Sequence, residues 1–342
     1  MVTIKDIGRK IGMSHATVSR ALNNSPLVNP ETFELVQRTA KEMGYFPDNA
    51  ARALRGSASN IVGFVLPDIN NHFYSRIASV VGRHVADRGL QLVLATSDED
   101  PAREERHLVE LQRARARAIV ITPTSALTKV SLDILRAIPT TQMVRRNPAL
   151  ATDLIAADDG QGVAQAVRHL LSRGHQQIAY IGGGPETLST GSERLQGYLS
   201  AMQEAGVAAH TRYDLGPPQP EFGRAATERL LRDPDRPEAI VLGSSQLTIG
   251  FLDAVRAAGL SVPEDLSFTG YDDPDWFAHW GAGITTVGLP IDRIASTVAA
   301  IASGQKADSA AQNAVQIETD AQGQRDLRFA CALIERGTVR RI

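Results

Sequence analysis

Apolar positions at the start of the chain recur at helical spacing. Ile4, Ile7 and Ile11 share one face at i, i+3, i+7, and Val18 and Leu22 repeat the pattern at i, i+4. Gly12 separates the two stretches, and Thr3 and Ser14 stand where each helix needs an N-cap. A third helix is predicted from Asn29 as cap, Pro30 at its first position and an inward stripe of Phe33, Val36, Ala40 and Met43, closed by Gly44. Asp48 or Asn49 then caps one short helix to Arg55, ahead of the flexible link Gly56-Ser57-Ala58-Ser59. From Ile61 the pattern changes to short apolar runs at 61–66, 90–95, 118–121 and 141–144, then at 177–181, 238–242 and 266–269. Helical stretches alternate with them near 72–88, 101–114, 128–137, 160–172, 191–205, 221–232 and 246–258. Uninterrupted apolar strands alternating with helices predict parallel sheets covered on both faces. The fold class is therefore an all-α head followed by an α/β core of two doubly wound lobes.

Two short helices joined at Gly12 have the form of a helix-turn-helix, whose second helix enters the DNA major groove. With Val18 and Leu22 inward, His15, Ala16, Ser19 and Arg20 are left on the outer side. Arg20 has the fork geometry to read a guanine edge. Three small helices bury only a modest core, which suits a DNA-reading module better than an enzyme domain. Charge agrees: residues 1–60 hold eight Lys/Arg and five Asp/Glu, against 28 basic and 33 acidic residues in the remainder. Leu54, flanked by Arg52 and Arg55, has two readings: an apolar wedge in the minor groove, or part of a linker helix packed on the body.

The run Ile-Lys-Asp-Ile…Gly-Met-Ser…Thr-Val-Ser-Arg-Ala-Leu-Asn, then Val-Asn-Pro-Glu-Thr, then Gly-Tyr-x-Pro-x-x-x-Ala-Arg-x-Leu resembles the head of the lactose/galactose-repressor (LacI/GalR) family, hinge included. Gly8 and Ile11 depart from it, since the family has Ala at both, and Asp48 stands where it has Asn. The resemblance implies a helix-turn-helix domain over 1–46, a hinge helix and linker over 47–60, and an effector-binding and dimerisation core over 61–342. It implies a homodimer on a pseudo-palindromic operator. The DNA contacts it implies are Thr3, Ser14, His15, Ala16, Thr17, Ser19, Arg20 and Asn23 in the head, and Asn49, Arg52, Leu54 and Arg55 in the hinge.

Ligands of doubly wound folds sit at the carboxyl ends of the strands. Those ends are polar here: Pro67-Asp68-Ile69-Asn70, Arg145-Arg146, Gly182-Gly183-Gly184, Gly243-Ser244-Ser245 and Tyr271-Asp272-Asp273. The segments at 157–162, 169–183, 192–198, 262–273 and 284–287 extend the resemblance to the family's sugar-binding core, which is built like periplasmic binding proteins. It implies chain crossovers near 158, 289 and 320, with lobe 1 about 61–158 and 290–320, and lobe 2 about 159–289 and 321–342. It also implies that Arg194 and Asp272 bind effector hydroxyls, helped by Asp158, Thr190 and an aromatic from Phe73 or Tyr74. At Arg145-Arg146 the family has an acid followed by Arg, and at Ser244-Ser245 an amide-acid pair; both changes add positive charge. The run Asp-Pro-Asp-Trp-Phe-Ala-His-Trp (273–280) also resembles family members that sense gluconate-type sugar acids, and with the added charge it leads to the expectation of a sugar-acid effector contacted also by Arg145, Arg146, Ser245 and Trp276.

Enzyme chemistry finds no support. The Gly182–Gly184 run lacks both the dinucleotide fingerprint and the Walker lysine, the eight His lack zinc spacing, and no GxSxG elbow occurs. No cofactor and no metal are expected. Cys331 is the single cysteine, set among apolar neighbours, so an inert buried thiol is expected. No apolar run reaches the ~18 residues of a bilayer span, and the N-terminus opens directly into a helical pattern, so the expected compartment is the cytoplasm. The reading is a ligand-responsive transcriptional regulator, a repressor of a carbohydrate or sugar-acid catabolic operon. Its rival is a sugar-binding protein whose helical head contacts a partner protein.

Overall fold

The computed structural model describes residues 2–22, 25, 27–45, 59–184, 189–305, 316–319 and 323–342. Asn23 and the hinge residues Asn49, Arg52, Leu54 and Arg55 lie outside them. The chain divides into two compact units, Met1–Ser59 and Asn60–Ile342.

The first unit holds helices α1 (Ile4–Ile11), α2 (His15–Leu22) and α3 (Pro30–Glu42). Thr3 and Asp6 form a capping box on α1, and Gly12 ends it in the left-handed conformation at φ 68. The Ser14 hydroxyl accepts the Thr17 N–H at 3.1 Å, and Asn29 accepts that of Thr32 at 2.7 Å. Ile7, Val18, Ala21, Val36 and Ala40 form the core. Phe33 is only half-buried and sits outside this cluster, a departure from the expected stripe. The glycine at position 8 has a packing reason: a Cβ there would lie 2.7 Å from the Met13 carbonyl oxygen.

In the second unit one sheet contains β1 (Ile61–Leu66), β2 (Gln91–Thr96), β3 (Ala118–Ile121), β4 (Thr140–Met143), β5 (Leu154–Ala157), β11 (Gln316–Thr319) and β12 (Arg325–Phe329), in the order β11-β12-β5-β4-β3-β1-β2. The other contains β6 (Ile178–Gly183), β7 (Arg212–Gly216), β8 (Ala239–Leu242), β9 (Ser267–Tyr271), β10 (Thr286–Gly288) and β13 (Ala332–Ile334), in the order β13-β10-β9-β8-β6-β7. All pairings are parallel except β11 with β12 and β10 with β13.

Period-two alternation places each strand's apolar residues on both faces. Val62, Phe64 and Leu66 pack with helices α4 (His72–Ala86) and α12 (Ile291–Ala302). Val65, Ile119 and Ile121 pack with α5 (Pro101–Arg113) and α6 (Lys129–Ala137). In the second sheet Tyr180 and Val241 face α7 (Asp159–Ser172) and α8 (Ser189–Glu204), while Ile181 and Leu242 face α9 (Pro220–Arg232) and α10 (Ser245–Ala257). A four-residue turn of helix, α11, covers Trp276–His279. No helix among the described residues is long and apolar enough to cross a membrane.

One expected boundary needs correction. The resemblance puts residues from 321 on in lobe 2, yet β12 pairs in parallel with β5, Arg328 opposite Ala156. The chain therefore returns to the second lobe only after Phe329. The pairing covers an otherwise open edge of β5 and buries Leu327 and Phe329.

Helices α7 and α8 cross in close contact. A Cβ on Gly197 would lie 2.1 Å from the Gly160 carbonyl oxygen. Gly197→Ala must push the helices apart, at an expected cost of about 1–3 kcal/mol. Urea unfolding followed by tryptophan fluorescence measures it, since Trp276 and Trp280 both lie in the second unit. An unchanged midpoint would mean that the helices separate freely.

Candidate functional site

The carboxyl ends of strands from both sheets converge on a cavity of about 690 Å³. The same α7–α8 contact builds one wall. Asp158 caps α7, accepting the Gln161 N–H at 3.1 Å, and its side chain is not part of the lining. Asp159, the next residue, faces the cavity instead. From α8, Arg194 donates to Asp159 at 3.0 Å and to the Gly243 carbonyl oxygen at 2.8 Å. Its guanidinium lies 4.1 Å over the centre of the Tyr271 ring, and the Tyr271 hydroxyl donates to the same Asp159 oxygen. Burial opposes the charge on Arg194, but the Asp159 carboxylate beside it more than offsets that and holds the proton in place. Among the described residues, the buried Arg194 Nε has no hydrogen-bond partner.

Asp272 stands at the end of β9, 4% exposed. One carboxylate oxygen accepts the Asp273 N–H at 2.8 Å; the other, Oδ2, is buried without a partner among the described residues. Burial pushes its carboxyl up to about 6. A spare guanidinium donor and a spare carboxylate acceptor in one cavity suit neighbouring hydroxyl groups of a small polar molecule.

The other wall comes from the first sheet. Phe73 and Tyr74 open α4 in edge-to-face contact, ring centres 5.3 Å apart, and both line the cavity. Arg145 is bound in bidentate fashion by Glu99, at 2.7 and 3.0 Å. The expected excess of positive charge is therefore absent: the lining holds five carboxylates, from Asp68, Asp98, Glu99, Asp159 and Asp272, against the two guanidinium groups of Arg145 and Arg194.

Of the residues expected here, Phe73, Tyr74, Arg145, Thr190, Arg194, Ser245 and Asp272 line the cavity; Arg146, Asp158 and Trp276 do not. Arg146 turns to the Thr152 and Arg325 carbonyl oxygens and lies 3.8 Å from Asp326. Trp276 packs edge-on against Phe277 beneath the second sheet. Asp159, Tyr271 and Glu99 are additions. The strand-end rule could have found Glu99, which lies three residues beyond the end of β2.

Backbone strain concentrates at this site. Five described non-glycine residues have positive φ, and four of them, Asp98, Glu99, Val144 and Asp272, line the cavity. For the β-branched Val144 that conformation is a genuine outlier. Strain of about 1–3 kcal/mol per residue persists where function requires the geometry.

In the helical head His15, Ala16 and Arg20 are exposed along α2, Thr17 and Ser19 are half-buried, and Ser14 is exposed at its cap. Thr3 is exposed, with its hydroxyl bound to Asp6 at 2.6 Å.

Residues 3–48 match the profile of bacterial regulatory proteins of the lacI family, and residues 167–338 match a periplasmic binding protein-like domain. The chain is 32% identical over 303 residues to the HTH-type transcriptional regulator DegA of Bacillus subtilis, covering 84% of this chain and 87% of that one. It is 31% identical to the ribose operon repressor of Escherichia coli, over 86% and 90% of the two chains. Its fold matches that of a lac repressor dimer bound to operator and an anti-inducer, with a TM-score of 0.80, 21% identity and 99% coverage of both chains. A complex of the transcriptional regulator CelR with cellobiose matches at a TM-score of 0.66 and 27% identity, covering 99% of this chain and 100% of that one. With a helix-turn-helix head, two periplasmic-binding-protein-like lobes and relatives above 30% identity along most of its length, the chain belongs to the lacI family of DNA-binding transcriptional regulators.

Proposed function

We propose that the protein is a homodimeric repressor that releases or grips a pseudo-palindromic operator in response to an uncharged sugar. The observation that carries this reading is the cavity. The donor on Arg194 and the acceptor on Asp272 suit vicinal hydroxyls, Phe73 and Tyr74 offer apolar surface to a sugar face, and Arg145 is already neutralised. That neutralisation favours a neutral sugar over the sugar acid expected from the sequence. The relatives point the same way, since CelR was solved with cellobiose. His15, Ala16 and Arg20 read base edges, and Leu54 wedges a minor-groove step when the hinge folds. A function on DNA places the protein in the cytoplasm.

Control requires that the sugar bind the two states of the core unequally; operator and sugar affinities then shift reciprocally. A mobility-shift assay on the DNA upstream of the protein's own operon, with and without neutral sugars and sugar acids, tests the reading and gives the sign of the switch. Arg20→Ala is expected to cost about 1–3 kcal/mol and to relax preference at one base pair per half-site. Absence of any shift would favour a head that contacts a protein.

A further inference from the structure

We propose that Glu99 sets the charge selectivity of the cavity, holding Arg145 so that the site accepts neutral ligands and rejects anionic ones. The inference rests on the reading of the cavity as an effector site. Arg145 enters it with a side chain 9% exposed, and a guanidinium cannot shed its proton to escape burial. It therefore takes a counter-ion from whatever acid reaches it. Among the described residues, Glu99 is the one carboxylate within ion-pair distance of Arg145. The neighbouring acids are engaged elsewhere: Glu104 accepts the Thr124 N–H and hydroxyl, both at 2.9 Å, and Asp98 pairs with Arg103.

The two partners are unequal. Glu99 is 44% exposed, so it is solvated with or without Arg145. Arg145 depends on Glu99. The backbone reflects this arrangement, because Asp98 and Glu99 hold consecutive positive φ angles of 50 and 57 in the loop after β2, and Val144, directly before Arg145, holds 70. Three strained residues thus bring the pair together. Without the Glu99 carboxylate, Arg145 keeps its charge, its buried Nε remains without a partner among the described residues, and an anionic ligand becomes its counter-ion.

The test uses the full-length native chain, Glu99→Gln, Glu99→Asn and the double variant Glu99→Gln/Arg145→Gln. Each is titrated calorimetrically with glucose, ribose and cellobiose, and with gluconate. Each is also melted in sodium acetate against sodium chloride at equal ionic strength. Asn is included because it tolerates the left-handed backbone better than Gln. The expected result is a tenfold or larger shift in the ratio of gluconate to neutral-sugar affinity for the single variants. Acetate should raise their melting temperature more than that of the native chain, and the double variant should lose both gains. A folded single variant with no gain in either arm overturns the proposal, as does a double variant that keeps the gain. If no sugar binds any form but acetate still stabilises the single variants selectively, the role of Glu99 stands and the sugar-effector reading fails.

Discussion

Replacing Arg194 by methionine is expected to destabilise the core by about 3–5 kcal/mol, the range found when one member of a buried ion pair is removed. The Arg194 side chain is 14% exposed and Asp159 only 3%, so neither charge has water to fall back on. Without Arg194, Asp159 keeps one neutral donor, the Tyr271 hydroxyl. Its charge then becomes the penalty. Adding Asp159→Asn to the methionine variant is expected to recover most of the loss, because the residual cost lies in the orphaned carboxylate and not in lost volume. Urea unfolding of the four proteins, followed by tryptophan fluorescence, completes the cycle. A coupling near zero would mean that the pair does not hold the wall together. Effector binding should be lost in both Arg194 variants, since the donor is missing in each.

Asp272→Asn is expected to act in the opposite direction on stability. The Asp272 carboxyl rises from 3.8 to about 6 through burial, so the folded state binds its proton more tightly than the unfolded chain does. The stability this provides is present in full below about pH 4 and is lost as pH rises through about 6. At pH 8 the ionised carboxylate therefore costs about 3 kcal/mol, on the order of two pK units. The amide removes that cost, keeps an acceptor for the Asp273 N–H and suits the positive φ of 72. The variant should melt higher than the native protein at pH 8 and at the same temperature at pH 4. It should bind the effector more weakly, because a charge-assisted hydrogen bond becomes a neutral one. Equal stability at pH 8 would place the Asp272 carboxylate in water. The native acid thus reads as a residue kept for binding at the expense of stability.

Local features were legible before any coordinates. Thr3, Ser14, Asn29 and Gly12 mark helix ends because caps depend on neighbours three or four residues away. The buried strands stand out as continuous apolar runs, and the rule for strand ends marked Asp272, while the family resemblance supplied Arg194 and the two aromatics that line the same cavity. The short strands β5, β7 and β10 to β13 and the helix α12 are not predicted by the pattern. Several of these are three or four residues long, too short for a period to emerge.

Charge partnerships were not legible. Arg145 finds Glu99, 46 positions earlier, and Arg146 turns to the Arg325 carbonyl oxygen, 179 positions later. The sequence by itself determined the head, the two-lobed α/β core and the end of the sheets where the cavity lies, because backbone periodicity and capping are local. Only the tertiary structure decided that Arg145 is paired with Glu99, that Asp159 and not Asp158 faces the cavity, and that the chain recrosses after Phe329. Those outcomes depend on side chains and strand edges that meet through space, where Coulomb attraction and hydrogen bonding choose among partners that no sequence spacing can rank.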